Sequence, residues 1–140
     1  MSIVLGYDES PGASRALVTA IDLARTFAEP LVLVYGVNPP GYTGEEFDSH
    51  QAALTEIGRR AVDHAVVDAE KAGVETVVEL VDAKPVQALI DAADQHDARM
   101  IVVGTWGESP IRGAMLGSVP HKLLHLTDRP VLCVPAEDHD

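Results

Sequence analysis

Four glycines, Gly104, Gly107, Gly113 and Gly117, fall within residues 102–119, VVGTWGESPIRGAMLGSV. The whole chain holds 11 Gly in 140 residues, close to the ordinary usage of about 7%, so the enrichment is local. Bare backbone at Gly104 and Gly107 would let the chain lie against a ribose or a phosphate. Gly117-Ser118 would lead into a helix starting near Val119, whose free N–H groups and positive dipole end attract an anion. The chemistry this spacing suits is non-covalent capture of a phosphorylated ligand. Asp8, directly after the first apolar run, is a second candidate, either as a ligand contact or as a carboxylate that helps to cap the first helix.

Other chemistries fit less well. There is no G-x-x-x-x-G-K-[ST], and the first strand is followed by GYDESPG rather than G-x-G-x-x-G, so neither a P-loop nor a dinucleotide fingerprint is present. Ser118 is not framed as G-x-S-x-G and has no evident His and Asp partners. His121 and His125 stand four apart, a spacing that can chelate zinc, but no third ligand with suitable spacing is evident and an exposed helix face is the simpler reading. Glu45, Glu46 and Asp48 read as solvated loop charges, since nothing pairs them with a nucleophile. Trp106 suits either stacking on a base or packing on the Pro110-Ile111 part of its own loop.

The elements that must position these residues are legible as changes of period. IVLGY from Ile3, LVLVYGV from Leu31, TVVELV from Thr76, MIVVG from Met100 and PVLCVP at the end are apolar nearly throughout, as in parallel strands covered on both faces. Between them Ala13, Leu17, Ala20, Ala24 and Phe27, then Leu54, Ile57, Ala61, Ala65, Ala69 and Ala72, step by three and four as in amphipathic helices. Val86, Leu89, Ile90 and Ala93 form a third stripe, and Val119, Leu123 and Leu126 a shorter fourth. Ser10-Pro11 suits a helix start and Gly73 a C-cap. Alternation of strand and helix predicts an open parallel α/β sheet in one domain, residues 1–140. Its ligand crevice is expected beyond the strand C-termini, where the strand order reverses. The longest irregular piece, Asn38 to Asp48, is read as a surface loop, with a lid carrying Tyr42 and Phe47 as the alternative.

Composition narrows the partners. With 10 Lys and Arg against 22 Asp and Glu, the formal net charge is −12, and no basic stripe offers itself to nucleic acid. No apolar run approaches the roughly 20 residues that span a bilayer, and the chain reaches Asp8 too early for a signal-peptide core, so a cytoplasmic location is expected. The single cysteine, Cys133, reads as a small buried hydrophobe.

The pattern G-x2-G-x9-G-[ST], met by Gly104, Gly107, Gly117 and Ser118, resembles the signature of the ATP-binding branch of the universal stress protein family. IVLGYDES is similar to that family's opening strand with its acidic end, and GSVPHKLLHLTDRPVLCVP to its closing helix and strand. The resemblance covers essentially the whole chain. It implies a Rossmann-like, adenine nucleotide alpha hydrolase-like domain with strand order 3-2-1-4-5, helices on both faces, and homodimers formed through the last strand, here residues 130–135. Carried over residue by residue, it implies ATP with Mg²⁺, with Asp8 and the adjoining Tyr7 at the ribose or base, Gly36 and Val37 at the adenine, Val103 and Gly104 flanking the ribose, and Gly107, Gly117, Ser118 and Val119 at the phosphates. Three positions depart from the family pattern: Gly36 where an apolar side chain is common, Trp106 where residues are smaller or charged, and Pro120, which has no N–H. The function implied is a regulatory ATP-binding module of the stress response. The alternatives are a slow ATP hydrolase and an interaction module that binds cyclic AMP or no nucleotide. The sequence leans to binding, because no base, arginine finger or Walker lysine is recognisable.

Overall fold

Short apolar runs rich in Val, Ile and Leu become strands, and the segments with helical period become helices laid across them. The computed structural model describes residues 1–8, 11–36, 59–60, 62–81, 85–105 and 118–135. The expected lid loop, the N-cap Ser10, the start of the second helix, Val37, Trp106, Gly107 and Gly117 lie outside the described residues. The strands are β1 (Ser2–Gly6), β2 (Leu31–Gly36), β3 (Thr76–Val81), β4 (Ala98–Gly104) and β5 (Val131–Val134). The helices are α1 (Pro11–Phe27), α2 (helical residues 59–60 and 62–71), α3 (Pro85–Gln95) and α4 (Ser118–Leu126).

The sheet order is β3-β2-β1-β4-β5, every pairing is parallel, and helices cover both faces, as expected. Side chains alternate across the sheet. Ile3, Leu5, Leu31, Leu33 and Val102 pack with α1 and α2 through Ala16, Ala20, Val62 and Ala65. Val4, Val32, Val34, Ile101 and Val103 pack with α3 and α4 through Leu89, Ala93 and Leu123. Small alanines on the helix stripes let the helices sit close to a Val- and Leu-lined sheet, which is close packing rather than loose collapse.

The expectation of five fully buried strands holds for the middle of the sheet and not for its edges. Val78 on β3 is 41% exposed and Leu132 on β5 is 37% exposed. Among the described residues both strands have a neighbour on one side only, so the helix layers centred on β1, β2 and β4 cover them less.

Two helices end in Schellman turns, in which a residue of positive φ lets the last carbonyls be capped. At the end of α2 this is Gly73, φ 77°, with Val74 N–H donating to the Ala69 carbonyl at 2.9 Å and Gly73 N–H to that of Glu70 at 2.9 Å, the C-cap expected from sequence. At the end of α1 the same place is held by Ala28, φ 55°, with Glu29 N–H donating to the Ala24 carbonyl at 2.9 Å. The left-handed conformation costs an L-residue with a Cβ about 1–2 kcal/mol. The turn is pinned from outside: Arg99 on β4 grips the Glu29 carboxylate, Nη2 to Oε1 at 2.6 Å and Nε to Oε1 at 3.0 Å, while its guanidinium carbon stacks 4.2 Å from the Phe27 ring centroid. The Arg99 hydrogen bonds hold the Glu29 carboxyl below its ordinary range. Replacing Ala28 by Gly should raise stability by about 0.5–1 kcal/mol, the relief of strain less the extra chain entropy of glycine; urea denaturation of both proteins checks this, and equal or lower stability of Ala28→Gly contradicts it.

Candidate functional site

The strand order reverses between β1 and β4, and there the chain leaves the sheet in opposite directions. β1 runs out toward α1 on one face, and β4 runs out on the way to α4 on the other. β1 and β4 are paired through Leu5 and Val102, so their C-terminal ends form one rim. Two backbone bonds carry the sheet one residue beyond its strands: Tyr7 N–H donates to the Val34 carbonyl and Thr105 N–H to the Val134 carbonyl, each at 3.0 Å. Tyr7-Asp8 and Gly104-Thr105 are thereby held at the rim rather than released as free loop. This is the crevice geometry in which open α/β sheets hold ligands.

The expected residues that are described take definite places. Tyr7 is 9% exposed and its ring belongs to the apolar cluster under α1. Asp8 is exposed at the rim. Gly36 ends β2, opposite Val81 and on the far side of β1 from Gly104. Val103 is 4% exposed and packs with the cluster under α3 and α4. Tyr7 and Val103 therefore hold the rim from inside. Ser118 and Val119 open α4, and Val119 packs against the same cluster as Val103. Val37, Gly107 and Gly117 lie outside the described residues.

Gly104 has a different use from the one expected. An added Cβ there would stand 2.5 Å from the Gly12 carbonyl carbon, 2.7 Å from its oxygen and 2.9 Å from the Ala13 nitrogen. The space a side chain would need is filled by the backbone of the first turn of α1, so the missing side chain seats a helix start against the rim. Gly12 itself is buried. Sequence reading passed over Gly12, although a glycine directly after the helix-opening Pro11 is a signal of close backbone approach. It also passed over Thr105, which sits between two glycines of the motif and is 7% exposed.

Pro120 does not break α4. It is the third residue of α4, in the first turn, where backbone N–H groups have no partner within the helix, and it is buried. The helix forms around it.

A family model described as the universal stress protein family matches residues 1–135. The chain belongs to the universal stress protein family. The universal stress protein Rv2623 of Mycobacterium tuberculosis is 34% identical over 99% of this chain and 48% of its own length, so the chain spans about half the length of that relative. The universal stress protein of Archaeoglobus fulgidus in complex with dAMP superimposes with a TM-score of 0.71 at 30% identity, covering 96% of this chain and 97% of the other. A universal stress protein in complex with cAMP superimposes with a TM-score of 0.75 at 26% identity, covering 98% of both.

Elsewhere on this universal stress protein, a shallow groove between β3 and α3 is lined by Glu79, Val81, Ala88, Asp91, Ala92 and Gln95, and its two carboxylates oppose a phosphate. His121 and His125 are exposed, their rings edge to face with centroids 4.9 Å apart. Burial pushes the Cys133 thiol up, away from the thiolate a reactive cysteine needs. No helix among the described residues is long and apolar enough to cross a membrane.

Gly104→Ala should destabilise the protein by about 1–3 kcal/mol, because a methyl group is driven into main chain and not into a flexible side chain. Chemical denaturation measures it, and a variant as stable as the parent would mean that α1 does not rest on the rim.

Proposed function

We propose that the chain is a regulatory module that holds ATP with Mg²⁺ in the crevice between β1 and β4. The observation that carries this reading is the pairing of β1 and β4 at the reversal of strand order, which brings Tyr7-Asp8 and the Gly104-Thr105 main chain to one rim; the G-x2-G-x9-G-[ST] spacing, ending at Ser118 where α4 opens, supports it. The dAMP and cAMP complexes of the two relatives support an adenine nucleotide as the ligand class. In this reading Asp8 and main chain at Tyr7, Val103 and Gly104 meet the ribose, Gly36 and Val37 the adenine, and Gly107, Gly117, Ser118 and Val119 the phosphates. Mg²⁺ would offset the phosphate charge, which the −12 net charge of the chain otherwise repels at low salt.

Occupancy of the loop changes the surface offered to a partner, and hydrolysis, where it occurs, is slow. A second copy joins through β5, whose outer edge has no strand beyond it among the described residues and whose Leu132 is 37% exposed. Unpaired edges of this kind are commonly closed by a twin. The module works in the cytoplasm, in the response to stress.

Cyclic AMP is the second reading, favoured by the relative bound to it and by its smaller charge. Calorimetry with ATP and Mg²⁺ at moderate salt, and in parallel with cyclic AMP, tests both. Micromolar binding of ATP that falls at least tenfold in Gly117→Ala is the expected result. Tighter binding of cyclic AMP transfers the proposal to that ligand, and binding of neither overturns it.

A further inference from the structure

The outward face of α4 is fixed by what lies behind it. Pro120 and Leu123 are buried, and Leu123 and Val119 pack against the cluster that holds Val103. With about 3.6 residues to the turn, those positions put His121 and His125 on the side of the helix away from the sheet, where both are exposed. Residues four apart on a helix are surface neighbours. The exposed face expected from sequence is therefore present, and it carries two metal-ligating side chains side by side.

The two imidazoles lean together. Their ring centroids are 4.9 Å apart at an interplanar angle of 72°. An ion bound about 2.0–2.1 Å from one nitrogen of each ring holds the centroids about 4.5 Å apart when its two bonds meet at a right angle, and about 5.2 Å apart when they are tetrahedral. The observed separation falls between these two arrangements. What remains for capture is to turn one nitrogen of each ring toward a common point.

The chemistry of the pair selects the ion. Imidazole suits Cu²⁺, Ni²⁺ and Zn²⁺, whereas Mg²⁺ and Ca²⁺ take oxygen ligands. Lys122, exposed beside the pair, repels a cation that is drawn only by the −12 net charge of the chain, so affinity for nitrogen decides what is held. Among the described residues no group of three or more His, Cys, Asp or Glu could hold a metal ion, so water takes the remaining positions.

We propose that His121 and His125 chelate one divalent transition-metal ion on the outer face of α4, a site independent of the nucleotide crevice. The ion spans one turn and is bound by the wound helix in preference to the unwound chain, so it stabilises the fold.

Calorimetry with Ni²⁺, Zn²⁺ and Mg²⁺ tests this on protein that carries no affinity tag, without nucleotide. One Ni²⁺ should bind per chain, more tightly than Zn²⁺ is not required but far more tightly than Mg²⁺. His121→Ala and His125→Ala should each weaken Ni²⁺ binding at least about tenfold, since even the partners that merely orient metal ligands cost about 10–100-fold when removed. The double variant should fall little further than either single one, because losing one ligand already ends the chelate. Ni²⁺ should raise the melting temperature of the parent and leave that of both single variants unchanged, while without metal all three melt alike, both side chains being exposed. Unchanged Ni²⁺ affinity in either single variant overturns the proposal and places the ion elsewhere. Losses that add in the double variant overturn it too, as they would show two independent imidazoles. So do Mg²⁺ binding as tight as that of Ni²⁺, a melting temperature of the parent that does not respond to Ni²⁺, and a parent that binds no Ni²⁺.

Discussion

The first turn of α1 lies where Gly104 would otherwise carry a side chain, backbone against backbone, and the geometry of the crevice follows from that contact. It sets the depth at which α1 enters, and with it the height of Asp8, which precedes the helix, over the ends of β1 and β4. Were the two backbones farther apart, Asp8 would not stand over the joined ends of β1 and β4. A Cβ on Gly104 would press on the main chain of Gly12 and Ala13 and lift the start of α1 from the rim.

At the opposite end of the sheet the constraint is electrostatic. Arg99 ties Glu29 to β4 and stacks on Phe27, which holds the far end of α1 against the same strand that Gly104 meets near its beginning. A helix fixed at both ends against one strand cannot rock. That rigidity suits a site made chiefly of main-chain groups, because such groups cannot adjust by rotating a side chain. The strain kept at Ala28 lies in this far anchor and away from the crevice.

Much of this was legible in the sequence. The apolar runs gave the strands, their separation by helical stripes gave a parallel sheet with helices on both faces, and the C-cap at Gly73 and the helix start at Pro11 are where residue chemistry places them. The family resemblance supplied the strand order and the convergence of Asp8 with Gly104. What was not legible depends on contacts between distant segments. The partner of Gly104 is Gly12, far away in the chain, and a glycine pattern shows that space is needed without showing what fills it. Burial of Tyr7 and Val103 depends on which face of the sheet α1 and α4 cover. The burial of the Thr105 hydroxyl, which has no partner among the described residues, is a property of packing alone. The partial exposure of β3 and β5 was hidden because an edge strand in an α/β sheet can read as apolar as a central one.

Titration of the ¹⁵N-labelled protein with ATP and Mg²⁺, followed by amide chemical shifts, tests the central claim most directly, because it locates the ligand without presupposing a residue. The largest changes should fall on Tyr7, Asp8, Gly104, Thr105, Ser118 and Val119, at the junction of β1, β4 and the start of α4. Changes centred instead on the groove of Glu79 and Asp91 between β3 and α3, or no saturable change at all, would contradict the account.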